Sequence, residues 1–164
     1  MTTIIGIDPG SRRTGYGIIR LEGNRYTHIT SGYLDVTAYS SCERLRPIYL
    51  GLQEILQSYQ PQEAAIEQVF MHENPGSALK LGQARGAAIV ALTIPIAEYS
   101  AREVKKSIVG HGAASKEQIQ FMVKRLLNLK QDLQADAADA LAIALCHAHA
   151  RNLRKLTDLA EKKG

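Results

Sequence analysis

The sequence is poor in the residue types that would mark several large classes of protein. It holds two cysteines in 164 residues, Cys42 and Cys146. Two thiols so far apart build no disulfide scaffold and match no zinc-ligand spacing. Both read as reduced thiols in a reducing compartment, so the expected location is the cytoplasm. No uncharged apolar run approaches the ~18 residues of a membrane span, so no membrane is expected among its partners. The opening MTTIIGIDPGSRRTG has no charged segment ahead of an apolar stretch, which speaks against a secretory leader. There is no GxxxxGK[ST] phosphate loop and no GxSxG nucleophile turn. Tryptophan is absent and phenylalanine occurs twice. Internal repeats, low-complexity tracts and linkers are also missing.

What is present is ordinary for a globular chain: 45% hydrophobic and 22% charged residues, enough for one domain with one real core. We expect that domain over residues 1–155, with a basic tail at 156–164 that is either disordered or in contact with a polyanionic partner. The net charge of +4 is unevenly spread. Residues 102–130 carry seven Lys or Arg against two Asp or Glu. This segment reads either as a solvated helical surface or as a footprint for a polyanion.

The order of segments suggests a fold. Thr3–Ile7, Gly15–Leu21 and Arg25–Leu34 read as three strands, the last two joined by a hairpin at Gly23-Asn24. Short connections favour an antiparallel meander. A helix of period near 3.6 follows, from about Ser41 to Tyr59. Pro47 within it requires either a start nearer Arg44 or a kink. Ala64–Ile66 is a short buried strand. A helix from about Gly76 to Thr93 has Gly82 and Gly86 one turn apart. Ile94–Tyr99 is a fifth strand. Ser100 with Glu103, and Ser115 with Gln118, form capping-box patterns for two helices ending near Gly110 and Leu129. The last helix runs from about Leu133 to Arg154. This order is that of the α/β ribonuclease-H-like fold: a mixed five-stranded sheet with helices on both faces.

Four carboxylates stand out. Asp8 and Glu67 each follow an apolar strand directly, where caps and turn formers are also common. Asp136 and Asp139 are three apart on the last helix in QADAADALAIAL, so they share a face that should be buried. Two like charges there need a cation or strong donors. The other reading is a pair of first-turn charges on the helix dipole, which suits Asp136 better than Asp139. In the proposed fold the first and fourth strands end side by side and the last helix crosses them, so all four acids converge. An all-oxygen site suits Mg²⁺ or Mn²⁺ rather than Zn²⁺. Two such ions about 4 Å apart are arranged for in-line phosphodiester hydrolysis.

Other candidates are less specific. His147 and His149 are two apart on a helix and share no face. His72 and His111 fall in loops. Gly10 and Gly15 most simply serve a tight turn after Asp8. Phe70, in the loop after Glu67, either stacks on an unpaired base or folds back on the core. Lys105, Lys106 and Lys116 either neutralise phosphates or are solvated.

Four blocks then carry a specific resemblance: GIDPGSRRTGYG around Asp8, AIEQVF around Glu67, SALKLGQARG from Ser77, and QADAADALA around Asp136 and Asp139. Together and in this order they resemble the RuvC family of Holliday-junction resolvases, from about Ile4 to His147. GIDPGS alone also opens actin-like ATPases, but those need two domains around the nucleotide and this chain is too short. A ribonuclease-H-like nuclease for another nucleic acid, and a module that only binds DNA, are the remaining alternatives. The resemblance implies a metal-dependent endonuclease of DNA recombination and repair, acting as a homodimer on four-way DNA junctions. It would nick two like-polarity strands symmetrically, leaving 5′-phosphate and 3′-hydroxyl ends. The resemblance places the Mg²⁺ ligands at Asp8, Glu67, Asp136 and Asp139, and every acidic position of the family pattern is filled in this chain. It implies an aromatic probe of junction bases at Phe70, phosphate-binding lysines at Lys105 and Lys116, and dimerisation through the helix of Gly82 and Gly86. It also implies RuvA and RuvB as partners.

Overall fold

The computed structural model describes residues 1–69 and 74–161, with side chains as far as residue 153. Three strands open the chain: β1 (Thr2–Asp8), β2 (Arg13–Glu22) and β3 (Arg25–Asp35). The β2–β3 hairpin turns at two residues, and Gly23 takes the positive φ of 59° that such a turn needs. Helix α1 (Leu45–Tyr59) leads to β4 (Glu63–Glu67), α2 (Pro75–Ala91) and β5 (Ile96–Tyr99). Helices α3 (Ala101–Val109), α4 (Lys116–Leu126) and α5 (Ala135–Glu161) complete it.

The five strands lie in the order β3-β2-β1-β4-β5. The first three are antiparallel, while β4 runs parallel to both β1 and β5. The sheet is thus mixed, as the segment order predicts. Each face carries its own core. Ile5, Ile7, Ile18 and Ile66 pack under α1 and α2. Ile4, Ile19 and Ala65 pack under α3, α4 and α5. Because both faces are covered, β1 and β4 read as nearly continuous apolar runs rather than alternating ones.

Several expected boundaries move. Helix α1 starts at Leu45, not Ser41, so Pro47 falls in the first turn, where its missing N–H breaks no internal bond. Arg44 provides no side-chain cap; its guanidinium donates instead to the carbonyls of Tyr39 and Ser11. Both capping boxes form as expected, Ser100 with Glu103 and Ser115 with Gln118. Helix α5 begins at Ala135, which puts Asp136 in its first turn, and continues to Glu161 rather than stopping at Arg154. The side chains of the basic tail lie outside the described residues. Among the described residues no helix is long and apolar enough to cross a membrane.

Candidate active site

The site is built at one end of the two central parallel strands. Asp8 ends β1 and Glu67 ends β4, and the ladder pairs Ile7 with Ile66 just before them. Parallel strands end on the same edge, so the two acids become neighbours. Helix α5 brings the other two, because the sheet beneath its first turns presents glycines at Gly6, Gly15 and Gly17. A Cβ on Gly6 would lie 2.1 Å from the Ala140 carbonyl oxygen, and one on Gly15 would lie 2.2 Å from that of Asp136. Gly6 pairs with Gly17 and Asp8 pairs with Gly15 across β1 and β2. The helix backbone therefore rests on a glycine floor beside Asp8. Gly15 is not part of a turn, as its sequence position suggests; it lies within β2 and seats the first turn of α5. Gly10 does serve the turn, since a Cβ there would meet the Arg13 carbonyl at 2.0 Å.

Asp8, Glu67, Asp139, Lys105 and Lys116 line one cleft of about 320 Å³, with Val104 and Ile119 among its apolar walls. Asp136 stands outside the cleft wall, but its charge acts on both Asp8 and Asp139. Lys105 arrives on α3 and Lys116 on the first turn of α4, each helix anchored by its capping box. Lys106, the next residue on α3, is not part of the wall.

The acids raise one another's proton affinity. Burial pushes the Asp8 carboxyl up to about 8, helped by repulsion from Asp139, Glu67 and Asp136 and opposed by Lys116. Burial and Asp139 also raise Glu67, against Lys105 and Lys116. Burial raises Asp139, with Lys116 opposing and Asp136 adding to it. Lys116 Nζ stands 3.9 Å from Asp139 Oδ2 and is three-quarters exposed, so this pair offsets little of the cost. A partly buried group of acids, oxygen donors only, fits divalent cations of the Mg²⁺ class. Among the described residues no three His, Cys, Asp or Glu side chains already close on one point at ligand distance.

The structure thus brings Asp8, Glu67, Asp139, Lys105 and Lys116 to one cleft and sets Asp136 at its edge. Phe70 and His72 lie outside the described residues. His147 is no ligand candidate: its ring bonds Glu63 Oε2 through Nε2 and the Tyr99 hydroxyl through Nδ1, both at 2.8 Å. His149 Nδ1 is bonded to Ser107 Oγ. Two further features leave only a faint signal in the sequence. One is the glycine floor, whose signal is glycines at paired positions in GID and GYG. The other is Arg85, a lone cation in the small-residue run LGQARG, whose Nε–H donates to the Glu67 carbonyl.

Comparison with known proteins agrees with this geometry. A family model described as crossover junction endodeoxyribonuclease RuvC matches residues 4–147. A curated crossover junction endodeoxyribonuclease RuvC from Acinetobacter baumannii is 56% identical over 163 residues, covering 97% of this chain and 90% of the relative. One from Tolumonas auensis is 57% identical over 152 residues, covering 91% and 88%. The solved structure of T. thermophilus RuvC in complex with a Holliday junction substrate superposes with a TM-score of 0.87 at 31% identity. It covers 93% of this chain and 96% of that one.

Proposed function

Because the chain belongs to the RuvC family of crossover junction endodeoxyribonucleases, we propose that the cleft around Asp8 is where it cuts four-way DNA junctions. The protein is a divalent-metal-dependent endonuclease that resolves Holliday junctions by paired symmetric nicks, leaving 5′-phosphate and 3′-hydroxyl ends. The observation that carries the site assignment is the convergence of Asp8, Glu67 and Asp139 in one cleft with two lysines, with the Asp8 carboxyl forced up to about 8.

Asp8, Glu67, Asp136 and Asp139 are the residues that would hold Mg²⁺, or Mn²⁺ in its place, as two ions. When bound, such ions supply activation of the attacking water and neutralisation of the leaving 3′ oxygen. Asp8 must give up its proton to bind, which the acids around it oppose and a cation favours. Lys105 and Lys116 approach from the α3 and α4 side and hold the phosphate of the strand to be cut. The flexible stems of these two lysines let them follow a backbone without reading its sequence. Phe70, in the segment after Glu67, stacks on a junction base.

Two nicks on one junction need two sites, so the active form is a homodimer. Helix α2 supplies its contact. Leu79 and Val90 are about 70% exposed there and lie on one stripe with Gly86. RuvA and RuvB, which migrate the branch, are the protein partners in this reading.

The test is cleavage of a synthetic mobile four-way junction, end-labelled on each strand in turn, with Mg²⁺ and with EDTA. Paired nicks on opposing strands are expected, and only with metal. Asp8→Asn, Glu67→Gln and Asp139→Asn should each lower the rate by at least about 100-fold while junction affinity is kept. Nicking by any of these variants at the wild-type rate would remove that residue from the site.

A further inference from the structure

Strand β4 delivers Glu67 to the cleft, but the sheet holds that residue incompletely. The β1–β4 pairing ends at Ile7 with Ile66, one residue short of Glu67. On the β5 side the ladder continues to Glu67, which pairs with Tyr99, and the Gln68 N–H donates to the Tyr99 carbonyl at 2.8 Å. Beyond Val69 the described chain resumes at Asn74, whose side chain caps α2 by accepting from the Gly76 and Ser77 N–H groups. At Glu67 the ladder therefore holds β4 on the β5 side only, and a contact from α2 adds a second hold.

Arg85 makes such a contact. It lies on α2, and its side chain is only 19% exposed. Its Nε–H donates to the Glu67 carbonyl oxygen at 3.2 Å. An Nη of the same guanidinium pairs with the Glu98 carboxylate on β5. Glu98 stands opposite Ile66 in the β4–β5 ladder, on the sheet face that α1 and α2 cover. One planar group thus joins three elements: α2, the end of β4, and β5. A guanidinium can do this because its N–H groups diverge in fixed directions, whereas an ammonium has one donor centre. The Glu98 carboxylate is half exposed, so the ion pair adds little stability; its use is to aim the fork.

The charges that act on the Glu67 carboxyl are those of Asp139, Lys105 and Lys116. Arg85 bonds the Glu67 main-chain carbonyl, so it acts on the position of this residue through the backbone. We propose that Arg85 is a positioning residue that locks the end of β4 to α2 and so holds Glu67 where it can bind metal. The consequence for metal rests on the site assignment above; the mechanical lock does not.

Two readouts test this without any cleavage. The first is amide hydrogen exchange over residues 67–69 in metal-free protein. The second is Mn²⁺ affinity by titration calorimetry. Arg85→Gln should speed exchange over 67–69 and weaken Mn²⁺ binding by at least about tenfold, the usual cost of losing a residue that orients a ligand. Arg85→Lys should recover part of both, since a single donor can reach the carbonyl or the carboxylate but not both. Glu98→Gln, a milder change at an exposed position, should move both readouts in the same direction by less. If exchange over 67–69 in Glu98→Gln and Arg85→Gln matches wild type, the lock is absent and the proposal fails. If exchange rises while Mn²⁺ affinity stays within twofold, Arg85 is merely structural and the proposal also fails. A wild-type protein that nicks no junction would instead refute the nuclease reading, while the exchange and Mn²⁺ results would still decide for or against Arg85.

Discussion

Burying Asp8 beside three other acids has a consequence that metal-free protein should display. The unfolded chain releases the Asp8 proton near the ordinary carboxyl value of 3.8, whereas the folded site keeps it to about 8. Between those values the folded state binds more protons than the unfolded state. Its stability is therefore greatest below about pH 4 as far as this group is concerned, and is lost as pH rises through about 8. Metal-free wild type should melt at a lower temperature at pH 8 than at pH 5. Asp8→Asn should flatten that slope and stabilise metal-free protein at pH 8 by on the order of 1–3 kcal/mol. Added Mg²⁺ should raise the melting temperature of wild type but not of the variant. Differential scanning calorimetry across pH checks this, and an equal slope in the two proteins would show that Asp8 ionises freely.

Helix α5 reaches the site only because β1 and β2 present glycines beneath it. The atoms that a new Cβ would strike at Gly6 are the Ala140 carbonyl oxygen and the Ala144 nitrogen, both main chain, so the helix must lift bodily. Gly6→Ala should cost about 3 kcal/mol or more by chemical denaturation, at the upper end for added core volume. Gly15→Ala acts at the Asp136 turn. It should weaken metal binding more than its loss of stability accounts for, because Asp136 and Asp139 move away from Asp8. Equal metal affinity in Gly15→Ala and wild type would show that the first turn of α5 adapts. The glycine floor is hard to see in the sequence because a glycine in GYG reads equally well as a turn former. What distinguishes it is the register that pairs Gly6 with Gly17, and register belongs to the sheet.

At the scale of the whole molecule, the proposed dimer gives the two sides of α2 different duties. Ala84, Ala88 and Ala91 are buried in the core that α2 shares with α1 and the sheet, while Leu79 and Val90 face solvent. A Cβ on Gly82 or Gly86 would meet nothing within 4 Å in this chain. A Cβ there costs the monomer nothing sterically, and glycine in a helix interior is itself unfavourable by roughly 0.5–1 kcal/mol. Gly86→Leu should therefore leave the melting temperature of the monomer equal or higher, yet weaken self-association by at least about tenfold. Sedimentation at low concentration measures that, and paired nicks should give way to single ones. An unchanged sedimentation mass would move the dimer contact off α2.

Much of this molecule is legible in short stretches of its sequence. The five strands, their order in the chain, both capping boxes and the mixed sheet follow from local patterns that report their own surroundings: apolar period, turn residues, cap residues at fixed spacing. Asp8, Glu67, Asp136 and Asp139 are visible because a carboxylate in an apolar context is costly wherever the chain puts it. Proximity is another matter. That Asp8 sits beside Asp139 and that Lys105 and Lys116 face them from two further helices depends on strand pairing and on how closely α5 can approach the sheet. Arg85 shows the same division. Its presence in LGQARG is a fact of the sequence, but its value to Glu67 arises only when α2 folds back along β4. A side chain announces its chemistry locally; the partners that give that chemistry a use are set by contacts between residues far apart in the chain.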